Sequence, residues 1–74
     1  MSVYAYYDTE ADIAWLPTGH AKQVVSEEVE WGLIDHDART DEIVAVEIWA
    51  ASKRLPKAIL EALPAPGRPR GVAA

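Results

Sequence analysis

The sequence predicts a small α+β domain: an antiparallel β-meander of four to five strands with one C-terminal helix packed on one face. Two observations support this prediction. Segments rich in β-branched and aromatic residues fill the chain as far as Trp49. The segment after Trp49 then passes through Ser52 and Pro56, which favour a helix start, into apolar residues at helical spacing. Because the strands all precede the helix, the sheet is expected to be antiparallel.

The strand candidates have clear side-chain alternation only in places. The first two are close enough for an antiparallel hairpin, and Glu27-Glu28 marks an edge or a turn after the third. In the last candidate, Val44, Val46 and Ile48 share one face, and Glu47 and Trp49 share the other with Ile43 and Ala45. The predicted strands are residues 3–7, 13–16, 22–26, 29–36 and 43–49, with a polar connection over 35–42.

The helix is expected over residues 56–63, and Pro64 ends it. Ser52 is expected to start the helical segment, because its hydroxyl can accept a hydrogen bond from an unpaired backbone amide. Residues 1–63 then form a single domain, and residues 64–74, rich in Pro, Gly and Arg, form a disordered tail. The residues expected to face the sheet are Leu55, Ile59, Ala62 and Leu63.

Size and composition limit the possible functions. The chain has 74 residues, no cysteine and 50% hydrophobic residues, so it folds without disulfide or thiolate–metal support. A core this small gives marginal stability, and self-association, most simply as a homodimer, is expected to add to it.

Charge is distributed unevenly along the chain. Residues 1–51 carry eleven acidic and two basic side chains, whereas residues 52–74 carry one acidic and five basic ones. An acidic body repels a phosphate backbone, so nucleic-acid binding is not expected and a basic protein partner is. The longest apolar runs are about four residues, against roughly 20 for a spanning helix. The sequence therefore predicts a cytoplasmic protein without membrane association.

Both ends of the chain carry a recognisable pattern. Residues 7–12 read Tyr-Asp-Thr-Glu-Ala-Asp before a strand, and residues 46–48, Val-Glu-Ile, lead into Ala-Ser-Lys-Arg at 51–54. This pattern resembles a family of small bacterial proteins, domain of unknown function 2283, over roughly residues 4–60. The resemblance implies a small sheet with one helix, and no established reaction, cofactor or catalytic residue. By analogy it also implies the neutralising half of a two-gene, toxin–antitoxin-type pair.

The sequence departs from that family in the connection before the last strand. Residues 37–42 contain no glycine, although the family uses a short Asp- and Gly-containing loop there, and Ala45 stands where glycine is common. The departure affects the expected geometry of this hairpin more than the fold.

The most suggestive cluster of polar residues is Asp35-His36-Asp37, since two carboxylates and an imidazole are typical metal ligands. Neighbouring strand residues point to opposite faces, however, so the three cannot converge on one ion without a sharp turn. A structural turn is therefore favoured, and no metal or cofactor is predicted.

Glu47 lies within an apolar strand, where burial would raise its pKa as in a general acid or base. Since no nucleophile motif accompanies it, a structural role is favoured, in which Glu47 pairs with Lys53, Arg54 or backbone amides and holds the helix to the sheet. Ser52 is likewise interpreted as structural. The alternative is a carboxylate-based enzyme or ligand site formed by Glu47 with Asp35 and Asp37.

Three tryptophans fall on three predicted strands, and a sheet covered by one short helix buries only one face. At least one of them should therefore reach the other face, where large aromatic side chains are typical of contact sites. Trp49 is the first candidate if the helix covers the face of Val44, Val46 and Ile48. The candidate partner-binding residues are Trp49, Trp31 and Trp15.

These observations favour a non-catalytic protein–protein interaction module, homodimeric or bound to a basic partner. A third possibility is nucleic-acid association through Lys53, Arg54, Lys57 and the tail, which predicts steep salt dependence.

Overall fold

The computed structural model describes residues 4–66. It confirms the predicted class, a small antiparallel α+β fold, with two short helices in place of one. The elements follow in the order β1 (Tyr6–Asp8), β2 (Ile13–Pro17), β3 (Val24–Val29), β4 (Gly32–Asp37), β5 (Ile43–Trp49), α1 (Ala51–Arg54) and α2 (Lys57–Ala62).

The five strands form one antiparallel sheet in the order β1-β2-β5-β4-β3. The most apolar strand, β5, is therefore central, and β2 and β3 lie on opposite sides of it although they follow one another in the chain. The connection between them crosses the start of β5, where the backbone amides of Thr18 and Gly19 donate to the Val44 carbonyl at 2.8 and 3.1 Å.

A tight turn at Glu30-Trp31 divides the segment predicted as one strand over 29–36. Glu27-Glu28 belongs to β3, at the edge of the sheet, and the connection before β5 starts only after Asp37. Gly32 allows β4 to begin close to β5, because a Cβ atom at this position would collide with the backbone carbonyl of Glu47. The residue in the sequence that indicates this turn is therefore Gly32, directly after it.

The helical segment also differs from the prediction. Helix α1 begins at Ala51, after Ala50 in the left-handed region (φ 51°), and Pro56 separates it from α2. Ser52 lies inside α1, so its predicted role as the helix cap is wrong. In α2, Leu60 is buried and Ile59 is 46% exposed, the reverse of the predicted arrangement.

Both helices pack on one face of the sheet, called here the helix face. Their core consists of Ala14, Ala51 and Leu60, with partly buried Ile48 and Tyr7 against it, together with Leu55 and Leu63. No large side chain of residues 4–66 is fully buried, and the molecule measures 35 × 30 × 17 Å. The protein is thus a thin slab with a minimal core, as expected for its length.

The C-terminal segment closes one edge of the sheet. The backbone amide of Tyr7, in edge strand β1, donates to the Pro64 carbonyl at 2.9 Å. Pro64 therefore contacts the sheet, although the sequence placed it in the tail. The rest of the predicted tail, residues 67–74, lies outside the described residues.

Candidate protein-binding face

The opposite side of the sheet, called here the open face, carries no helix of the described residues. Its side chains follow from the strand register and include Trp15 and Trp49. Four cross-strand rows make up the open face: Asp8, Ile13 and Trp49; Tyr6, Trp15, Glu47, Leu33 and Glu28; Pro17, Ala45, Asp35 and Ser26; and Asp37 and Val24.

Tyr6 and Trp15 form the aromatic part of this face. They are direct cross-strand partners, and their rings stack with centroids 5.8 Å apart and planes inclined by 24°. Burial raises the pKa of the Tyr6 hydroxyl above its usual range, and the carboxylates of Glu47 and Asp8 raise it further. The hydroxyl is therefore protonated at neutral pH and can donate a hydrogen bond to a bound group.

Trp49 and Glu47 are linked on the same face. The Trp49 indole N–H donates to Glu47 Oε2 at 3.1 Å, which fixes the orientation of both side chains. Glu47 forms no ion pair with Lys53 or Arg54, so it does not hold the helix to the sheet as expected from the sequence. Arg54 performs that role differently, because its Nε–H donates to the Trp49 carbonyl at 3.1 Å.

Trp31 lies in the β3–β4 turn and is half-buried. Its carbonyl accepts a hydrogen bond from the Trp49 backbone amide at 2.8 Å. The pairing of β4 with β5, in which Gly32 is opposite Ile48, therefore continues by one residue and places Trp31 opposite Trp49. The structure thus brings Trp31 to the end of the open face, beside Trp49.

A groove of about 350 Å³ adjoins the aromatic pair. Its walls include Trp15, Val44 and Ala45, and the connection between β2 and β3 borders it with Lys22. Asp35 also lines the groove and accepts a hydrogen bond from the Ser26 hydroxyl at 2.6 Å. The groove therefore combines apolar walls with the carboxylate of Asp35 and, at its border, the ammonium group of Lys22.

The carboxylates of the alternative, catalytic interpretation do not converge. Glu47 is bound by Trp49 and Asp35 by Ser26, whereas Asp37 accepts the backbone amide of Arg39 at 2.8 Å. That amide is the main cause of a lowered pKa for Asp37. Each carboxylate thus has its own structural partner, and the three form no acid–base pair.

His36 points to the helix face, away from Asp35. Its Nε2 lies 3.0 Å from Glu27 Oε1 and its Nδ1 lies 3.1 Å from the Asp41 carbonyl. Within residues 4–66, no three side chains of His, Cys, Asp or Glu are grouped so that they could hold a metal ion.

A third polar cluster, which the sequence does not predict, consists of Tyr7, Asp12 and Ser52. The Asp12 carboxylate accepts hydrogen bonds from the Tyr7 hydroxyl and from the amide and hydroxyl of Ser52. The side chains belong to β1, the following turn and α1, and spacing along the chain does not reveal such a contact. The cluster joins structural elements and lies away from the open face.

Comparison with known proteins adds no functional information, because no family model, no curated protein and no solved structure matches the chain. The resemblance to domain of unknown function 2283 therefore stays a prediction. No helix within residues 4–66 is long and apolar enough to cross a membrane.

Proposed function

We propose that this protein is a non-catalytic interaction module whose open face binds a basic segment of a partner protein. The observation that supports this proposal most directly is the composition of that face. Tyr6, Trp15 and Trp49 lie there among carboxylates, on the side of the sheet that neither described helix covers.

The aromatic side chains would supply most of the binding free energy. Tyrosine and tryptophan are enriched among the residues that dominate protein interfaces, because each buries a large area with few rotatable bonds. The Tyr6–Trp15 stack and the Trp49–Glu47 hydrogen bond already fix these side chains. Little additional ordering is then required on binding.

The charges of the open face favour a basic partner. Its strand positions contain no lysine or arginine, and their acidic residues are Asp8, Glu28, Asp35, Asp37 and Glu47. A guanidinium group suits this surface, since it can stack on Trp15 and approach Asp35 across the groove. Two copies meeting through this face would bring like charges together, so a different protein is the better occupant. If the family resemblance holds, that partner is the other product of a two-gene pair.

The experiment is affinity capture of the full-length protein from its native lysate, followed by titration of the purified partner. A stoichiometric basic partner is expected. Trp49→Ala should weaken its binding by about 2 kcal/mol, or roughly 30-fold in Kd. Glu47→Gln keeps an oxygen acceptor for the Trp49 indole but removes the charge, so its loss of affinity should shrink at high salt.

Glu10→Gln is the matched control, because Glu10 is exposed in the turn after β1. This substitution also removes one negative charge, but at a position outside the open face, so it should leave the affinity for the partner nearly unchanged. Circular dichroism confirms that each variant is folded. A partner that binds Trp49→Ala and Glu47→Gln as tightly as the unmodified protein would refute the proposal, as would the absence of any stoichiometric partner.

A further inference from the structure

The two edges of the sheet differ. The edge at β1 is closed by the hydrogen bond from Tyr7 to Pro64, whereas no described residue lies along the outer edge of β3. The Gln23 carbonyl accepts a hydrogen bond from the Ala38 amide, so the backbone groups of Gln23 point toward β4. Every second residue after it has the same orientation, namely Val25, Glu27 and Val29. By alternation, the amides and carbonyls of Val24, Ser26 and Glu28 point outward without a partner among residues 4–66.

Apolar side chains flank the outer edge of β3 on both faces of the sheet. Val24 is 47% exposed and Val25 is 58% exposed. On the helix face, Val25 continues a row through His36 to Ile43, which is itself 51% exposed. Ile43 was predicted on the face of Trp49, and the register shift between Asp35 and His36 is the reason for the difference. β3 contains neither proline nor lysine nor a bulge, and its only charged side chains are those of Glu27 and Glu28.

We propose that β3 pairs antiparallel with β3 of a second copy, giving a continuous sheet of ten strands, five from each copy. This dimer uses an edge rather than the open face, so it goes beyond the proposed function and leaves the open face of both copies accessible. It would also add buried apolar surface to a protein whose residues 4–66 include no fully buried large side chain.

Charge selects the register of this pairing. The outward backbone groups allow symmetric registers centred on each residue from Val24 to Glu28. A centre at Val24 pairs only one residue of β3 with its copy, and a centre at Glu28 places two carboxylates directly opposite each other. A centre at Glu27 places the Glu27 carboxylates of the two copies directly opposite each other. A centre at Ser26 places Val25 opposite Glu27, so the two Glu27 carboxylates are diagonal neighbours. A centre at Val25 instead pairs valine with valine and, where the pairing continues from Val24 into the preceding connection, places Lys22 opposite Glu28 of the second copy. We therefore assign the register centred on Val25.

The decisive measurement is sedimentation velocity of the full-length protein over a range of concentrations. Lys22→Glu and Glu28→Lys should each weaken dimerisation at least about tenfold, because each places like charges opposite one another. The double variant Lys22→Glu/Glu28→Lys should restore it, since the exchange recreates the pair. Rescue by exchange distinguishes this register from a general effect of charge.

Backbone pairing is tested separately with Val24→Pro. Proline removes only an outward-facing amide at the first residue of an edge strand, a position where it is tolerated. The variant should be folded and monomeric, while Val24→Thr, which keeps the amide, should remain dimeric. Amide exchange gives a local check: the amides of Ser26 and Glu28 should become protected with increasing concentration, and that of Glu27 should be protected throughout.

Three results would overturn the dimer: a wild-type monomer at all concentrations, a dimer unaffected by Val24→Pro, or failure of the exchanged pair to restore association. A monomer whose Ser26 and Glu28 amides lose protection when residues 67–74 are removed would show that the chain's own end occupies the edge. The proposed function is tested separately from the dimer, because a monomeric Val24→Pro variant should still bind a basic partner through Trp49.

Discussion

Asp12 and Ser52, which are 40 residues apart, are joined by two hydrogen bonds. The Ser52 amide donates to Oδ1 of Asp12 at 2.9 Å, and the Ser52 hydroxyl donates to Oδ2 at 2.7 Å. The Tyr7 hydroxyl donates to the same Oδ1 at 2.6 Å, and the Ala51 amide to the Asp12 carbonyl at 2.9 Å. A residue of the β1–β2 turn thus satisfies the amides at the start of α1, the task that the sequence assigned to the Ser52 hydroxyl.

Replacing Asp12 tests this connection. Asp12→Ala removes every side-chain acceptor and should lower the melting temperature by roughly 5 °C or more. Asp12→Asn should cost less, since asparagine tolerates the left-handed backbone at this position (φ 57°) and keeps one acceptor oxygen. Thermal unfolding followed by circular dichroism measures both, with Glu10→Gln as the control. Equal melting temperatures for Asp12→Ala and the unmodified protein would rule out the connection.

The same carboxylate should make stability depend on pH in the acidic range. The pKa of Asp12 is lowered from its ordinary value of 3.8, first by the Tyr7 hydroxyl and then by the two Ser52 donors. A lowered pKa stabilises the fold above the ordinary value, and this contribution is lost as the pH falls through the folded-state pKa. The stability difference between the unmodified protein and Asp12→Asn, measured by urea unfolding, should therefore shrink below about pH 4. A difference that stays constant down to pH 2 would contradict this.

Two glycines should differ strongly in their tolerance of alanine. Gly32→Ala places a methyl group against the Glu47 carbonyl in the central strand and should cost about 3 kcal/mol in unfolding free energy. At Gly19 the nearest atom to a new Cβ is Val44 Cγ1 at 3.7 Å, an ordinary contact. Gly19→Ala should therefore change stability by less than about 1 kcal/mol. Urea unfolding compares the two, and similar losses would show that the contact with Glu47 is not the cause.

The features that the sequence predicts correctly depend on local periodicity. Alternation along β5 places Ile48 on one face and Trp49 on the other, and the helices cover the Ile48 side, so Trp49 reaches the open face. Of the residues predicted to face the sheet, Leu55 and Leu63 do pack against the core. Ile59 does not, because Pro56 divides the helical segment and α2 then buries Leu60 instead. The position of β5 between β2 and β4 and the contact of Asp12 with Ser52 are long-range, and no local pattern encodes them.

The hydrogen bond with Glu27 should control the pKa of His36. The pKa of His36 is raised above its ordinary value of 6.5, chiefly by its hydrogen bond with the Glu27 carboxylate and also by the Asp41 carbonyl. A raised pKa contributes stability that is complete below 6.5 and is lost as the pH rises through the folded-state pKa. Glu27→Gln should lower the pKa of His36 measured by NMR titration, whereas Glu28→Gln, on the other face of β3, should change it much less. Equal effects of the two substitutions would exclude a specific pair.

Tyr6 reports on the electrostatics of the open face. Its pKa is raised chiefly by burial, and next by the carboxylates of Glu47 and Asp8. Trp15→Ala uncovers one side of the ring and should lower the pKa most, and Glu47→Gln should lower it by a smaller amount. Glu10→Gln, the matched control, should have almost no effect. NMR titration of the Tyr6 ring carbon bonded to the hydroxyl oxygen measures each shift, and an unchanged pKa in Trp15→Ala would show that the stacked indole does not shield this hydroxyl.

Because the raised pKa of Tyr6 favours the neutral phenol in the folded protein, stability should fall as the pH rises through the ordinary tyrosine value of 10.0 and above it.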